Sequence, residues 1–152
     1  FYYPQSSTHD SLFINIMRVV YPELINTSAK IIRSQKPELL ERFKNDGYLL
    51  IDTLENRIPS DMPEKERIAL IRINENNLLK RTEQFSNSYF SYTIKRSVHK
   101  GLSDNAKGKL GTMYNHPLPF PSNGNQKKFR EELKTGLRRR KFVTLEDDIV
   151  IL

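Results

Sequence analysis

Prolines at positions 117, 119 and 121 forbid a helix or a central strand across residues 116–121, because each fixes φ and lacks an N–H. Each also pushes the residue before it into an extended conformation, so the stretch reads as a stiff extended loop. Ser122-Asn123-Gly124-Asn125 then supplies turn formers and helix N-cap candidates. Phe129, Leu133 and Leu137 follow at i, i+4 and i+8 and predict a helix with one apolar face. A rigid loop feeding a basic helix suits a phosphate: the helix N-terminus offers free N–H groups and the positive end of the dipole. Lys127 and Lys128 add full charges there. The same residues also describe a proline-stiffened connection ahead of an ordinary surface helix.

Charge favours the first description. The 152 residues carry a net charge of +7, which points to a polyanion partner, nucleic acid before membrane. Residues 127–141 alone hold eight Lys or Arg against two Glu; such a run is a solvated helix face or a backbone-binding surface. The length is that of one domain, taken as 1–152, with 142–152 a C-terminal tail or edge strand. No apolar run approaches the roughly 18 residues of a membrane span, and no signal peptide is visible. The absence of cysteine excludes disulfides and thiolate chemistry and fits a reducing, cytoplasmic location. His9, His99 and His116 lack ligand spacing, so no metal and no cofactor is expected, and the chain reads as a monomer. It begins at Phe1 rather than Met, so the domain is expected to be N-terminally incomplete.

In chain order, Phe1-Tyr2-Tyr3-Pro4 is an aromatic cluster, either a piece of core or a stacking platform for a base. Thr8-His9-Asp10 offers caps to a helix bearing Leu12, Phe13, Ile16 and Val20 that stops near Pro22. Residues 23–35 are mixed. Pro37 opens a second helix through Phe43, ended by Asn45-Asp46-Gly47. Tyr48 to Leu54 is a short apolar run that predicts a buried strand of a parallel sheet. Asp52 stands near its C-terminal end, where ligands of open α/β sheets bind, although a carboxylate there also serves to cap a loop. A helix is expected from Glu64 to Phe85, weakened in its middle by Asn74, Asn76 and Asn77. Tyr89 to Ile94 predicts a second strand, Lys95 to Leu110 a short basic helix, and Thr112 to Tyr114 a last short strand. This alternation predicts an α/β fold, a three-layer α/β/α arrangement around a small, mostly parallel sheet.

Three segments resemble the uracil-DNA glycosylase superfamily: Tyr48 to Leu54, Tyr92 to Val98, and Leu118 to Phe129. They are similar, in turn, to a strand ending in a base-reading asparagine, to a third strand, and to the His-Pro-Ser or Asn-Pro-Ser loop that enters the minor groove. The resemblance implies a DNA partner and removal of a damaged or deaminated base by hydrolysis of the N-glycosidic bond. It implies stacking of the base on Tyr2 or Tyr3, reading of its edge by Asp52, stabilisation of the departing base by His116, and a wedge at Phe120. Pro121, Ser122, Asn123, Asn125, Gln126, Lys127, Lys128 and Arg130 would hold the DNA. Two departures stand out. The family's Gly-rich first motif is absent, and Asp52 replaces the asparagine; an ionised carboxylate only accepts hydrogen bonds, whereas an amide also donates. Pro121-Ser122 matches the family's Pro-Ser in one register; His116-Pro117-Leu118-Pro119 matches in another.

Three functions remain at this level: a base-excision glycosylase, a catalytically inactive nucleic-acid-binding module, and a basic structural or interaction domain.

Overall fold

The sequence's apolar periodicities are realised mainly as helices. The computed structural model describes residues 10–85, 89–140 and 148–151. Its elements run α1 (Ser11–Val20), a 3-10 turn (Pro22–Leu24), α2 (Ala29–Ser34), α3 (Lys36–Asn45), β1 (Tyr48–Leu50), α4 (Glu64–Thr82), β2 (Tyr89–Tyr92), α5 (Arg96–Gly101), α6 (Asp104–Lys109), α7 (Gln126–Arg140) and β3 (Asp148–Ile151). They form two units. The first holds α1 to α3 and α7; the second holds the strands and α4 to α6.

In the first unit, α1 buries Phe13, Ile14, Ile16 and Met17, while α7 buries Phe129 and Leu133, each 0% exposed, and the two helices pack together. Pro22 cannot continue α1, which ends at Val20 with Tyr21 as its extended C-cap. Pro37 sits in the first turn of α3, where its missing N–H costs nothing. The mixed residues 23–35 contain α2, capped by Ser28, whose hydroxyl accepts from the Ile31 N–H. Lys36 is 1% exposed and pairs with buried Asp10 at 3.0 Å, with its ammonium 5.0 Å from the Phe13 ring centroid. A charge removed from water in this way is tolerated only because it is paired.

The second unit has its core on one face of α4: Ile71 and Leu78 pack with Leu102, Ala106 and Leu110, and Ile51, Leu54 and Val98 close over them. The asparagines do not break α4, which runs through all three. Two of their side chains are employed away from the helix ladder's N–H groups: Asn74 donates to the Leu70 carbonyl, and Asn77 donates to Glu55 and accepts from Arg81. The expected basic helix over 95–110 is two helices. Ser103 caps the second, its hydroxyl accepting from the Ala106 N–H. α4 ties both down: Arg72 donates to the Gly101 and Lys100 carbonyls, and Glu75 accepts from the Ser103 N–H and hydroxyl. Unsatisfied groups at the end of α5 and the start of α6 are thereby met by one helix face.

The expected three-layer α/β/α fold does not form: helices take up 75 of the 132 described residues and strands 11. β1 and β2 each run parallel to β3, which lies between them, but the three strands are only three or four residues long. The run Tyr48 to Leu54 leaves the strand after Leu50, and Ile51 and Leu54 turn onto the helical core instead. Thr112 makes a single parallel bridge with Ser91 rather than a strand.

Gly101 sets the distance between α4 and α5. A Cβ placed there would stand 2.5 Å from Ile71 Cγ2, well inside van der Waals contact. Gly101→Ala is expected to destabilise the protein by about 1–3 kcal/mol, read from urea midpoints. The Ile71 Cβ itself would stand 2.6 Å away, and alanine keeps that atom, so Ile71→Ala should not rescue Gly101→Ala and the double variant should stay at least as unstable as Gly101→Ala alone.

Candidate functional site

The proline-stiffened loop ends in a tight turn. Asn123 and Gly124 both have positive φ, +50° and +86°, and the Asn125 N–H donates to the Ser122 carbonyl at 3.0 Å. That is a type I′ turn, which Asn-Gly favours because neither residue is penalised heavily for a left-handed backbone. It aims the chain into α7, whose first turn opens with the Phe129 N–H donating to the Asn125 carbonyl.

Two contacts clamp this loop and helix onto α1. The Ser11 hydroxyl donates to the Pro121 carbonyl, and Arg130 Nη1 donates to Asn15 Oδ1 at 2.5 Å. Pro121 is buried and Arg130 half-buried. Both residues, expected to hold DNA, here brace α7 against α1 through these contacts. Ser122 and Gln126 are half-buried, as is Phe120, the expected wedge. The exposed members of the expected set are Asn123, Asn125, Lys127 and Lys128.

With Phe129, Leu133 and Gly136 buried, the opposite face of α7 presents Lys127, Lys128, Glu131, Lys134, Thr135 and Arg138. Lys127 pairs with Glu131 and Lys128 with Glu132, both at 3.9 Å and both on exposed lysines. Such surface pairs are worth about 0–1 kcal/mol and leave the lysines available to a stronger anion. Residues 127–141 contribute +6 (eight basic, two acidic) of the chain's +7, so the rest of the chain is nearly neutral.

The expected catalytic residues lie in the second unit. Asp52 follows β1 with its side chain exposed, while its carbonyl accepts from both Nη atoms of Arg81 at 3.0 Å. His116 is exposed, with its ring stacked on Tyr114 at 5.0 Å and 16°. Asp52 is thus held to α4 and His116 to Tyr114, so each sits within a different set of contacts. Tyr2 and Tyr3 lie outside the described residues.

His99, which the sequence did not mark, is the histidine with the more defined environment. Its Nε2 lies 2.9 Å from the Asn115 carbonyl and its Nδ1 3.0 Å from the Thr93 hydroxyl. A carbonyl only accepts, so Nε2 carries the hydrogen and neutral His99 accepts the Thr93 hydroxyl at Nδ1. Burial, followed by the nearby Lys107 charge, holds its pKa below 6.5. His99 lines a cleft of about 440 Å³ with Asp104, Lys107, Met113, Tyr114 and Asn115. A single histidine in Ser97-Val98-His99-Lys100 gives no sequence signal, because the partners come from residues 93 and 115.

No family model, curated protein or solved structure matches the chain. Among the described residues no helix is long and apolar enough to cross a membrane, and no group of three or more His, Asp or Glu is arranged to hold a metal ion.

The lowered His99 pKa has a stability consequence. The unfolded chain binds this proton more readily than the folded one, so stability rises with pH in this window. The contribution is complete above about pH 6.5, the ordinary histidine value, and declines as pH falls towards the folded value. Urea midpoints should fall between pH 7.5 and pH 5.5, and His99→Gln should flatten that dependence. An NMR titration should place the His99 midpoint below 6.5.

Proposed function

We propose that the chain is a nucleic-acid-binding module that holds DNA backbone on the exposed face of α7. The observation that carries this reading is the single helix face bearing Lys127, Lys128, Lys134 and Arg138 against Glu131, in a chain whose net charge is almost all in that segment. Phosphate binding of this kind positions a strand without reading bases. The Asn123-Gly124 turn and the first turn of α7 add backbone N–H groups and the positive helix end beside the lysines. A basic chain without cysteine suits a reducing compartment such as the cytoplasm, where nucleic acid is an abundant polyanion.

Base excision is the less supported extension. A residue that reads a flipped base works inside a snug pocket, whereas the Asp52 carboxylate stands in solvent. The binding reading asks nothing of Asp52.

Fluorescence anisotropy with labelled duplex and single-stranded oligonucleotides, between 50 and 300 mM KCl, tests the proposal. Log affinity should fall linearly with log salt. Each of Lys127→Gln, Lys134→Gln and Arg138→Gln should reduce the slope by about 0.9 on duplex or about 0.7 on single strands. Asp52→Ala should bind as the unaltered protein does. Salt-independent binding, or a triple variant that binds undiminished, would sink this reading.

A further inference from the structure

The His99 cleft lies in the second unit and takes no part in the proposed backbone binding. Its volume, about 440 Å³, falls within the range of small-molecule sites, roughly 300–1,000 Å³. Its lining is two-sided. Met113 and Tyr114 give it an apolar and aromatic wall, while Lys107 gives it a cation and Asn115 an amide whose oxygen lies 3.3 Å from His116 Nδ1. Gly108 and Gly111 add stretches of wall without side chains, and Thr112 and Asp104 complete the lining.

The cation is engaged only loosely. Lys107 Nζ lies 3.2 Å from Asp104 Oδ1, but the Asp104 side chain is fully exposed, whereas that of Lys107 is 21% exposed. An anion entering the cleft can displace that carboxylate at small cost, because a solvent-screened pair contributes little. His99 already has both ring nitrogens committed, to Thr93 and Asn115, so it contributes a fixed wall and, once protonated, a second positive charge. The charged or titratable groups around it are Lys107, His116 and Asp104; two of the three are basic.

We propose that this cleft binds a small organic anion with a flat apolar body, of mononucleotide size, with Lys107 and Asn115 taking the oxyanion and Met113 and Tyr114 the body. An oxyanion beside Lys107 favours the protonated form of His99, so binding tightens as pH falls towards 6 and, by linkage, the ligand raises the His99 pKa.

The test uses the full chain and a nucleoside monophosphate as probe, with the corresponding nucleoside and inorganic phosphate as controls. Binding is followed by calorimetry and by the His99 ring resonances. The monophosphate should give saturable shifts and an upward-moved His99 midpoint, and should bind at least tenfold more tightly than either control. Lys107→Gln should weaken it tenfold or more, and Lys107→Arg should restore most of that loss. Asn115→Ala, at an exposed position, offers a second variant should Lys107→Gln disturb folding, and it should also weaken binding. The triple α7 variant should bind the monophosphate unchanged, which separates failure of this site from failure of the backbone-binding face. No saturable shift at millimolar monophosphate, equal binding of inorganic phosphate, or full affinity in both the Lys107→Gln and Asn115→Ala variants would overturn the proposal.

Discussion

The packing of α1 against α7 is the contact on which the proposed interface depends. Phe13, Ile16 and Met17 on one helix and Phe129 and Leu133 on the other are almost wholly removed from water, and each such side chain contributes about 1.5–3 kcal/mol by burial. Apolar burial has no direction, so it fixes proximity and not rotation. Rotation is fixed by the polar contacts: Arg130 can reach Asn15, and Pro121 can receive the Ser11 hydroxyl, only when α7 turns Phe129 and Leu133 inward. A hydrogen bond from a charged donor contributes about 1.5–3 kcal/mol, and losing it would leave half-buried polar groups unpartnered. Once this seam is set, the residues on the far face of α7 have nowhere to go but solvent.

That far face is costly to keep. Lys134 and Arg138 stand at i and i+4, a like-charge spacing that destabilises a helix by about 0.2–0.5 kcal/mol. The two glutamates that relieve the first turns, Glu131 and Glu132, have no acidic counterpart between Lys134 and Arg140. A bound polyanion converts this self-repulsion into attraction, and release of its condensed counterions adds an entropic gain. On the proposed function, the helix would therefore be more stable with a phosphate backbone against it than without one.

Legibility in the sequence divided along physical lines. Helices bounded by local chemistry were visible: the stop at Pro22, the start at Pro37, the Asn-Gly turn, and the apolar spacing of Phe129 and Leu133. These depend on φ restrictions and a 3.6-residue period, which are properties of neighbours in sequence. The strands misled. Tyr48 to Leu54 is apolar enough for a buried strand, and periodicity cannot distinguish that from a strand of three residues whose remainder packs on helices. The three asparagines of α4 misled in the other direction, because Glu55 and Arg81 occupy the Asn77 side chain and so remove its competition with the backbone. In the candidate site, exposure was the quantity that could not be read. Lys127, Lys128 and Arg130 look alike in sequence, yet Asn15, more than a hundred residues away, turns the last of them into a brace.

The same non-local logic separates the two histidines of the second unit. His116 sits beside the prolines, and its exposed ring is stacked on Tyr114 with Nδ1 3.3 Å from Asn115 Oδ1. His99 has both nitrogens bonded, by groups that the turns after Tyr92 and Tyr114 bring to it. A histidine held so firmly cannot act as a general base while neutral, since its accepting nitrogen is already occupied by the Thr93 hydroxyl. What it can change is charge. Protonation reverses the Thr93 hydrogen bond, with Nδ1 now donating to the hydroxyl oxygen, and leaves the Asn115 bond in place, so the ring gains a full charge without moving. That makes His99 a means of adjusting the potential of the cleft beside Lys107, and it ties whatever the cleft holds to the proton concentration around it.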